Sequence, residues 1–369
     1  MPSFTPHQQA ALAAVAEWLA AGPSARGVPQ IFRLFGYAGT GKTTLAKHIA
    51  AGVDGEVLFA AFTGKAAMVM RAKGCTDAST IHSLIYRARE RDEETPSFEL
   101  WPDSPAADAR LIIIDECSMV DAELGRDLMS FGVPLLVLGD PAQLPPIQGG
   151  GYFTEAEPDA MLTEVHRQAE NDPIVRLSMQ IRAGERLAPG DHGSAQVVRR
   201  AELDPQRVLA ADQVLVGRNA TRRAYNARMR ERRGFEDPLP LPGDKLVCLR
   251  NNKRKGLFNG SLWQVAQRRA RKSGVLSLRL TPDEGAGRPV KVSVRPECFT
   301  GALEELDWSL RKRYDEFDYG YVLTVHKAQG SQWDDVVLFD ESFAFPDSRE
   351  RWLYTGVTRA AKRLTVVLP

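Results

Sequence analysis

"GYAGTGKT", residues 36–43, is the stretch on which the reading of this 369-residue chain turns. It has the spacing G-x-x-x-x-G-K-[ST], and it stands between the apolar run "IFRLF" and the helix-forming run "KTTLAKHIA". Strand, glycine loop and helix in that order give the motif its physics. Glycines let backbone N–H groups close around phosphate oxygens, and the helix N-terminus behind them favours an anion. Gly36, Ala38, Gly39, Thr40, Gly41 and Thr44 are therefore expected to line a nucleotide site, with Lys42 reaching the β and γ phosphates and Thr43 giving its hydroxyl to Mg²⁺.

A second hard ligand is needed for that ion. "LIIIDE" (111–116) supplies it at the end of a strand apolar enough to be buried on both faces. Asp115 suits the metal and Glu116 suits polarising an attacking water. Further on, "VLGDPAQLPPI" (137–147) puts Gln143 after another strand, where its amide could sense the γ phosphate. At the N-terminus "FTPHQQAAL" (4–12) allows two readings. Thr5, Pro6 and Gln8 form a capping-box helix start, or Gln8 reads an adenine edge, and the pattern alone favours the cap.

Apolar strands alternate with helical stretches from 31 to 140, which predicts a parallel sheet wound on both faces. A sparser set, "QVLVG" (213–217), "YVLTV" (321–325), "DVVLF" (335–339) and "RLTVVL" (363–368), predicts a second α/β unit. Two inserts interrupt them. Residues 86–109 carry Phe98 and Trp101 in a polar, acidic, proline-spaced setting, and residues 239–299 show strand-like alternation around the basic loop "NNKRKGLFNG", as a small β barrel would. The division expected is a first unit over 1–155, a second over 156–238 and 300–369, and the barrel between.

Hydrophobic residues at 43% and charged residues at 26% describe a globular chain, with no apolar run long enough for a membrane span. No signal peptide is expected, because Glu17 breaks the first apolar stretch and no basic region precedes it. Cys75, Cys117, Cys248 and Cys298 are scattered without a C-x-x-C pair, which predicts a reducing compartment and no structural zinc. The net charge of +1 is silent on polyanions, but "GRNATRRAYNARMRERRG" (217–234) sets seven arginines against Glu231. That segment is either a solvated helix face or a surface for phosphates.

Taken in order, these pieces resemble superfamily 1 helicases of the RecD and Dda type, within superfamily 1B. The resemblance runs the length of the chain through "FTPHQQ", "GYAGTGKT", "FTGKAA" (62–67), "STIHSLI" (79–85), "IIIDECSM", "LGDPAQLPPI", "LTEVHRQ" (162–168), "LTVHKAQGSQWDDVVL" (323–338) and "LYTGVTRA" (353–360). Two positions depart from the family, Phe62 where relatives carry proline and Gln332 where they carry an acid.

The resemblance implies two RecA-like units with ATP between them, a β pin in the first and an SH3-like barrel in the second. It assigns Arg359 as an arginine finger, puts Arg167 near the junction, gives Gln8 a role on adenine and adds Gly330 and Gln332 to the nucleotide site. It places single-stranded DNA across Phe62, Thr63, Lys65, Thr80, His82, Thr324, His326 and Lys327, with Phe98 and Trp101 as candidates for the pin tip. The activity implied is ATP-driven 5′ to 3′ translocation and unwinding, serving replication, recombination or repair. An ATP-driven nucleic-acid binding switch and an RNA-directed helicase are the alternatives; a P-loop kinase or GTPase leaves the later motifs unexplained. The implied partners are single-stranded DNA and its junctions with duplex, with a single-strand binding protein or replisome component as candidates. A monomer in the cytoplasm of a bacterium or a phage-infected host, away from membranes, completes the expectation.

Overall fold

The structure is a computed structural model that describes residues 4–22, 27–88, 98–145, 151–164, 171–270, 274–283 and 288–369. Strands rich in isoleucine, leucine and valine assemble into a six-stranded parallel sheet in the order Ser79–Thr80, Val57–Ala61, Leu111–Asp115, Leu135–Gly139, Ile31–Gly36, Ala160–Leu162. Side-chain alternation sends Ile112, Ile114, Leu135 and Val137 to one core layer. Leu111, Ile113, Leu136 and Leu138 go to the other, under the helices Pro6–Ala20 and Lys42–Ala51. Burial on both faces explains why these strands read as unbroken apolar runs.

The second sheet has the order Val322–Thr324, Gln213–Val216, Trp333–Phe339, Ala360–Leu368, Ala195–Arg199, Gly190–Asp191, parallel except for its last pair. Helices Pro173–Arg182 and Arg349–Val357 cover one face, sharing a core with Leu215, Val336 and Leu338. Helix Asn219–Arg232 covers the other, and that layer continues without a break into a third, antiparallel sheet. Val290–Val294, Leu276–Pro282, Leu262–Ala270, Lys245–Cys248 and Phe317–Tyr319 make up this sheet, in that order.

Three expected positions change. The boundary after 155 is too early, because Ala160–Leu162 pairs with Leu34–Gly36 in the first sheet. The insert does not end at 299, because its fifth strand, Phe317–Tyr319, lies beyond it and pairs with Leu246–Cys248. In the first insert, Tyr86–Ala88 and Phe98–Leu100 pair antiparallel as the two arms of a hairpin, and residues 89–97 lie outside the described residues. The Trp101 N–H donates to the Ile85 carbonyl at 2.8 Å, so Trp101 closes the base of the hairpin and is not at its tip. Phe98 is placed by its backbone in the hairpin strand, and its side chain lies outside the described residues. Among the described residues, no helix is long and apolar enough to cross a membrane.

Candidate active site and nucleic-acid interface

The loop after Ile31–Gly36 turns tightly because its glycines allow it. A Cβ on Gly36 would stand 2.6 Å from Thr40 Oγ1 and 2.8 Å from Leu162 Cβ, and Gly39 and Gly41 take left-handed φ values of 79° and 82°. Helix Lys42–Ala51 starts from that loop, and the Lys42 ammonium folds onto the Gly36 and Tyr37 carbonyls at 2.6 and 3.1 Å. Thr43 Oγ1 lies 3.3 Å from Asp115 Oδ2. A hydroxyl and a carboxylate together at the base of a phosphate loop form the hard-oxygen donor set that suits Mg²⁺.

Gln8 is 2% exposed and fully engaged. Its Oε1 accepts from the Thr5 N–H at 3.0 Å, its own N–H donates to Thr5 Oγ1, and its Nε2 donates to the Thr40 carbonyl at 2.9 Å. The cap favoured by the sequence pattern is present, and the same side chain braces the phosphate loop.

Glu116 has φ 55°, the one left-handed residue besides glycine among those described. Burial pushes its carboxyl above the usual carboxylate range, Asp115 adds to that, and Arg359 and Lys42 pull the other way. A carboxylate of raised basicity facing a phosphate site suits a general base. Gln143 is 8% exposed, its Nε2 lies 3.5 Å from Asp140 Oδ2, and its Oε1 is buried with no protein partner. An orphaned acceptor in such a cleft fits a water or a ligand donor.

Arg359 comes from the second sheet's side and is 5% exposed. Its guanidinium donates to the carbonyls of Thr355 and Ser331 and to Thr358 Oγ1 at 3.0 to 3.2 Å. It lines the same cleft, of about 410 Å³, as Lys42, Thr43, Asp115, Glu116 and Gln143. Gly330 and Gln332 line it too, and Gly330 is pressed so closely that a Cβ would meet Ala66 Cβ at 3.0 Å. Arg167 lies outside the described residues.

The family model for an AAA domain matches residues 8–200, and that for a UvrD-like helicase C-terminal domain matches residues 319–367. This chain belongs to the AAA-domain family, within superfamily 1B of the RecD and Dda type. The ATP-dependent RecD2 DNA helicase of Deinococcus radiodurans is 29% identical to it in an alignment of 362 positions that covers 89% of this chain and 46% of the relative. The ATP-dependent DNA helicase dda of Enterobacteria phage T4 is 34% identical over 166 residues, covering 41% of this chain and 37% of the relative. The superfamily 1B chain thus spans less than half the length of these two relatives. Bacteroides Pif1 bound to single-stranded DNA matches with a TM-score of 0.59 at 18% identity, covering 99% of this chain and 92% of that one, a likeness of fold.

The expected DNA-binding residues of this superfamily 1B chain divide into three groups. Thr63, Thr80 and Thr324 accept from the N–H groups of Ala66, Ser83 and Lys327, so their oxygens cap local turns, and the Thr80 hydroxyl also shares a 2.7 Å hydrogen bond with Ser83 Oγ. Phe62 meets His82 edge to face with centroids 6.1 Å apart, and His82 meets Tyr86 at a tilt with centroids 5.7 Å apart, a run from the first sheet to the strand Tyr86–Ala88. Lys65 is buried, with its ammonium 4.4 Å over the Trp333 ring of the second unit. His326 packs against Phe345, and burial lowers the basicity of both His326 and Lys327.

The basic loop of the third sheet also has a definite neighbour. A Cβ on Gly64 would stand 2.5 Å from Phe258 Cβ, so Phe258 rests on the start of helix Gly64–Ala72. Three arginines of the basic segment hold structural ion pairs, Arg218 with Glu341, Arg222 with Asp318 and Arg230 with Asp244. Sequence reasoning missed the residues that cross the cleft. Tyr354, Thr355 and Gln329 hydrogen-bond to Asp140 and Leu144, partners about 200 positions away with no local signal.

Proposed function

We propose that this chain is an ATP-dependent DNA helicase that moves 5′ to 3′ on single-stranded DNA and opens duplex ahead of it. The observation that carries the proposal is the meeting of Arg359, from the second unit, with Lys42, Thr43, Asp115 and Glu116 of the first around one cleft. ATP is the substrate, Lys42 and the loop amides hold its phosphates, and Gln143 and Glu116 orient and deprotonate the attacking water. Thr43 and Asp115 hold Mg²⁺, which neutralises phosphate charge when bound. Arg359 stands on the unit opposite the phosphate loop, so it serves the phosphate only while the two units are held together, and cleavage is tied to closure. Arg167, Gln8 and Gln332 belong to the same proposal as junction and base-side residues.

The two parallel sheets are the RecA-like units, the hairpin at 86–100 is the duplex-splitting pin, and the third sheet is an SH3-like insert. DNA lies over Phe62, His82 and the capped threonines, where phosphate contacts give grip without sequence choice and aromatic faces take bases. Work on DNA in the cytoplasm, as a monomer beside single-strand binding or replisome proteins, follows from this reading. The test is ATPase rate with and without single-stranded DNA, with unwinding of duplexes tailed at 5′ or 3′ ends. Stimulation and unwinding from 5′ tails are expected. ATPase without unwinding would leave a binding switch, and unwinding from 3′ tails alone would reverse the polarity.

A further inference from the structure

We infer that Tyr354 is a positioning residue that makes the phosphate loop, the Asp140–Gln143 turn and Arg359 move as one unit. The inference rests on the ATPase reading of the cleft and adds a component that reading does not contain. The Tyr354 hydroxyl accepts from the Ala38 N–H at 2.9 Å and donates to Asp140 Oδ2 at 2.8 Å. Ala38 belongs to the phosphate loop and Asp140 to the turn that carries Gln143, so a helix of the second unit holds both loops of the first. A hydroxyl is suited to this place because it accepts from an amide and donates to a carboxylate at once. Its ring is 1% exposed, and burial together with the Asp140 carboxylate pushes the phenol far above its ordinary range, which keeps the donated proton in place.

The neighbouring residue repeats the connection. Thr355 Oγ1 accepts from the Leu144 N–H at 3.0 Å, and Gln329 Nε2 donates to the Leu144 carbonyl at 2.9 Å. Asp140 is shared further, since its Oδ1 accepts from the Ala142 N–H and its Oδ2 is the group nearest the Gln143 amide. On the other side, Arg359 Nε donates to the Thr355 carbonyl. A hydrogen-bonded path therefore runs from Ala38 through Tyr354 to Asp140 and Gln143, and along the backbone from Tyr354 through Thr355 to Arg359. A shift of the phosphate loop or of the turn moves the seat of the arginine.

Tyr354→Phe keeps the ring and deletes both bonds. The wild-type protein comes first: absence of stimulation by single-stranded DNA would defeat the ATPase-motor reading and not this one. Given stimulation, Tyr354→Phe is expected to lower kcat of DNA-stimulated hydrolysis roughly 10- to 100-fold, because the Ala38 amide loses its acceptor and Asp140 loses the donor that ties it to the second unit. KM for ATP and the affinity for a fluorescent ADP should stay within about threefold, because the loss belongs to the closed state. Placed on Arg359→Ala, the substitution should cost little more, since the two act through one closure. A kcat equal to wild type, or equal losses in affinity and kcat, would overturn the inference. If Tyr354→Phe does not fold, Thr355→Val tests the same path through Leu144, with a smaller loss of the same kind expected and an unchanged kcat counting against it.

Discussion

Glu116 concentrates the chemistry of the cleft in one side chain. Its left-handed backbone costs about 1 to 2 kcal/mol in a residue with a Cβ, strain of the sort retained where a side chain must be aimed. Burial raises its pKa and Arg359 pulls it down, so Arg359 helps set the range over which Glu116 can act as a base. Arg359→Ala should reduce kcat about 10³-fold or more while ATP and DNA still bind. It should also move the acid limb of the residual rate to higher pH, because removing the cation raises the Glu116 pKa further and the base works only when deprotonated. A kcat profile from about pH 5.5 to 9 checks both effects, and an unmoved limb would separate the two residues. Glu116→Gln makes the complementary case. With a folded pKa above the unfolded one, the native state binds more protons between them, so stability falls as pH rises through that window and stays lower above it. The glutamine variant should therefore melt about 1 to 3 °C above wild type at neutral pH, with the gap closing toward pH 4.

The third sheet is fastened to the second unit by charge as well as by apolar packing. Arg230 donates to Asp244 through Nε and a terminal nitrogen, both at 2.9 Å, and both residues are buried. Asp244 also accepts from the Tyr321 hydroxyl and the Leu241 N–H. Asp244→Ala leaves a buried guanidinium without its partner and should cost about 3 to 5 kcal/mol in denaturant unfolding. Arg230→Met with Asp244→Leu should recover much of it, since a packed apolar pair carries no unpaired charge. Nothing in "GRNATRRAYNARMRERRG" announces this role, because ion pairs with Asp244, Asp318 and Glu341 depend on elements up to 123 positions away. The same physics marks what was legible at this scale. Strands such as Leu111–Asp115 read clearly because a parallel sheet buried on both faces demands apolar runs. Ala160–Leu162 and Phe317–Tyr319 were missed because three residues carry no period and their partners lie far off in sequence. The phosphate loop and the Asp115–Glu116 pair were legible as motifs, whereas Tyr354 is defined only by what it meets across the cleft.

Across the whole molecule, the two units come into close steric contact at a glycine, Gly330, where a side chain would stand between them. Gly330 has φ 70°, and a Cβ there would meet Ala66 Cβ at 3.0 Å and Thr63 Oγ1 at 3.2 Å, both at the start of the first unit's helix Gly64–Ala72. Gly330→Ala therefore adds a wedge between the units as well as backbone strain in its own loop. ATP affinity, carried mostly by the phosphate loop, should change less than about threefold, while DNA-stimulated kcat falls roughly 10-fold or more because closure is obstructed. A purely local strain would lower stability and leave kcat near wild type, and a melting curve beside the kinetics separates the two. On the proposed mechanism both substitutions act on one event, so Gly330→Ala combined with Arg359→Ala should be scarcely slower than Arg359→Ala alone. Multiplying losses would instead mean that Gly330 shapes the nucleotide site directly, because two substitutions that only prevent the same closure cannot each remove it in full.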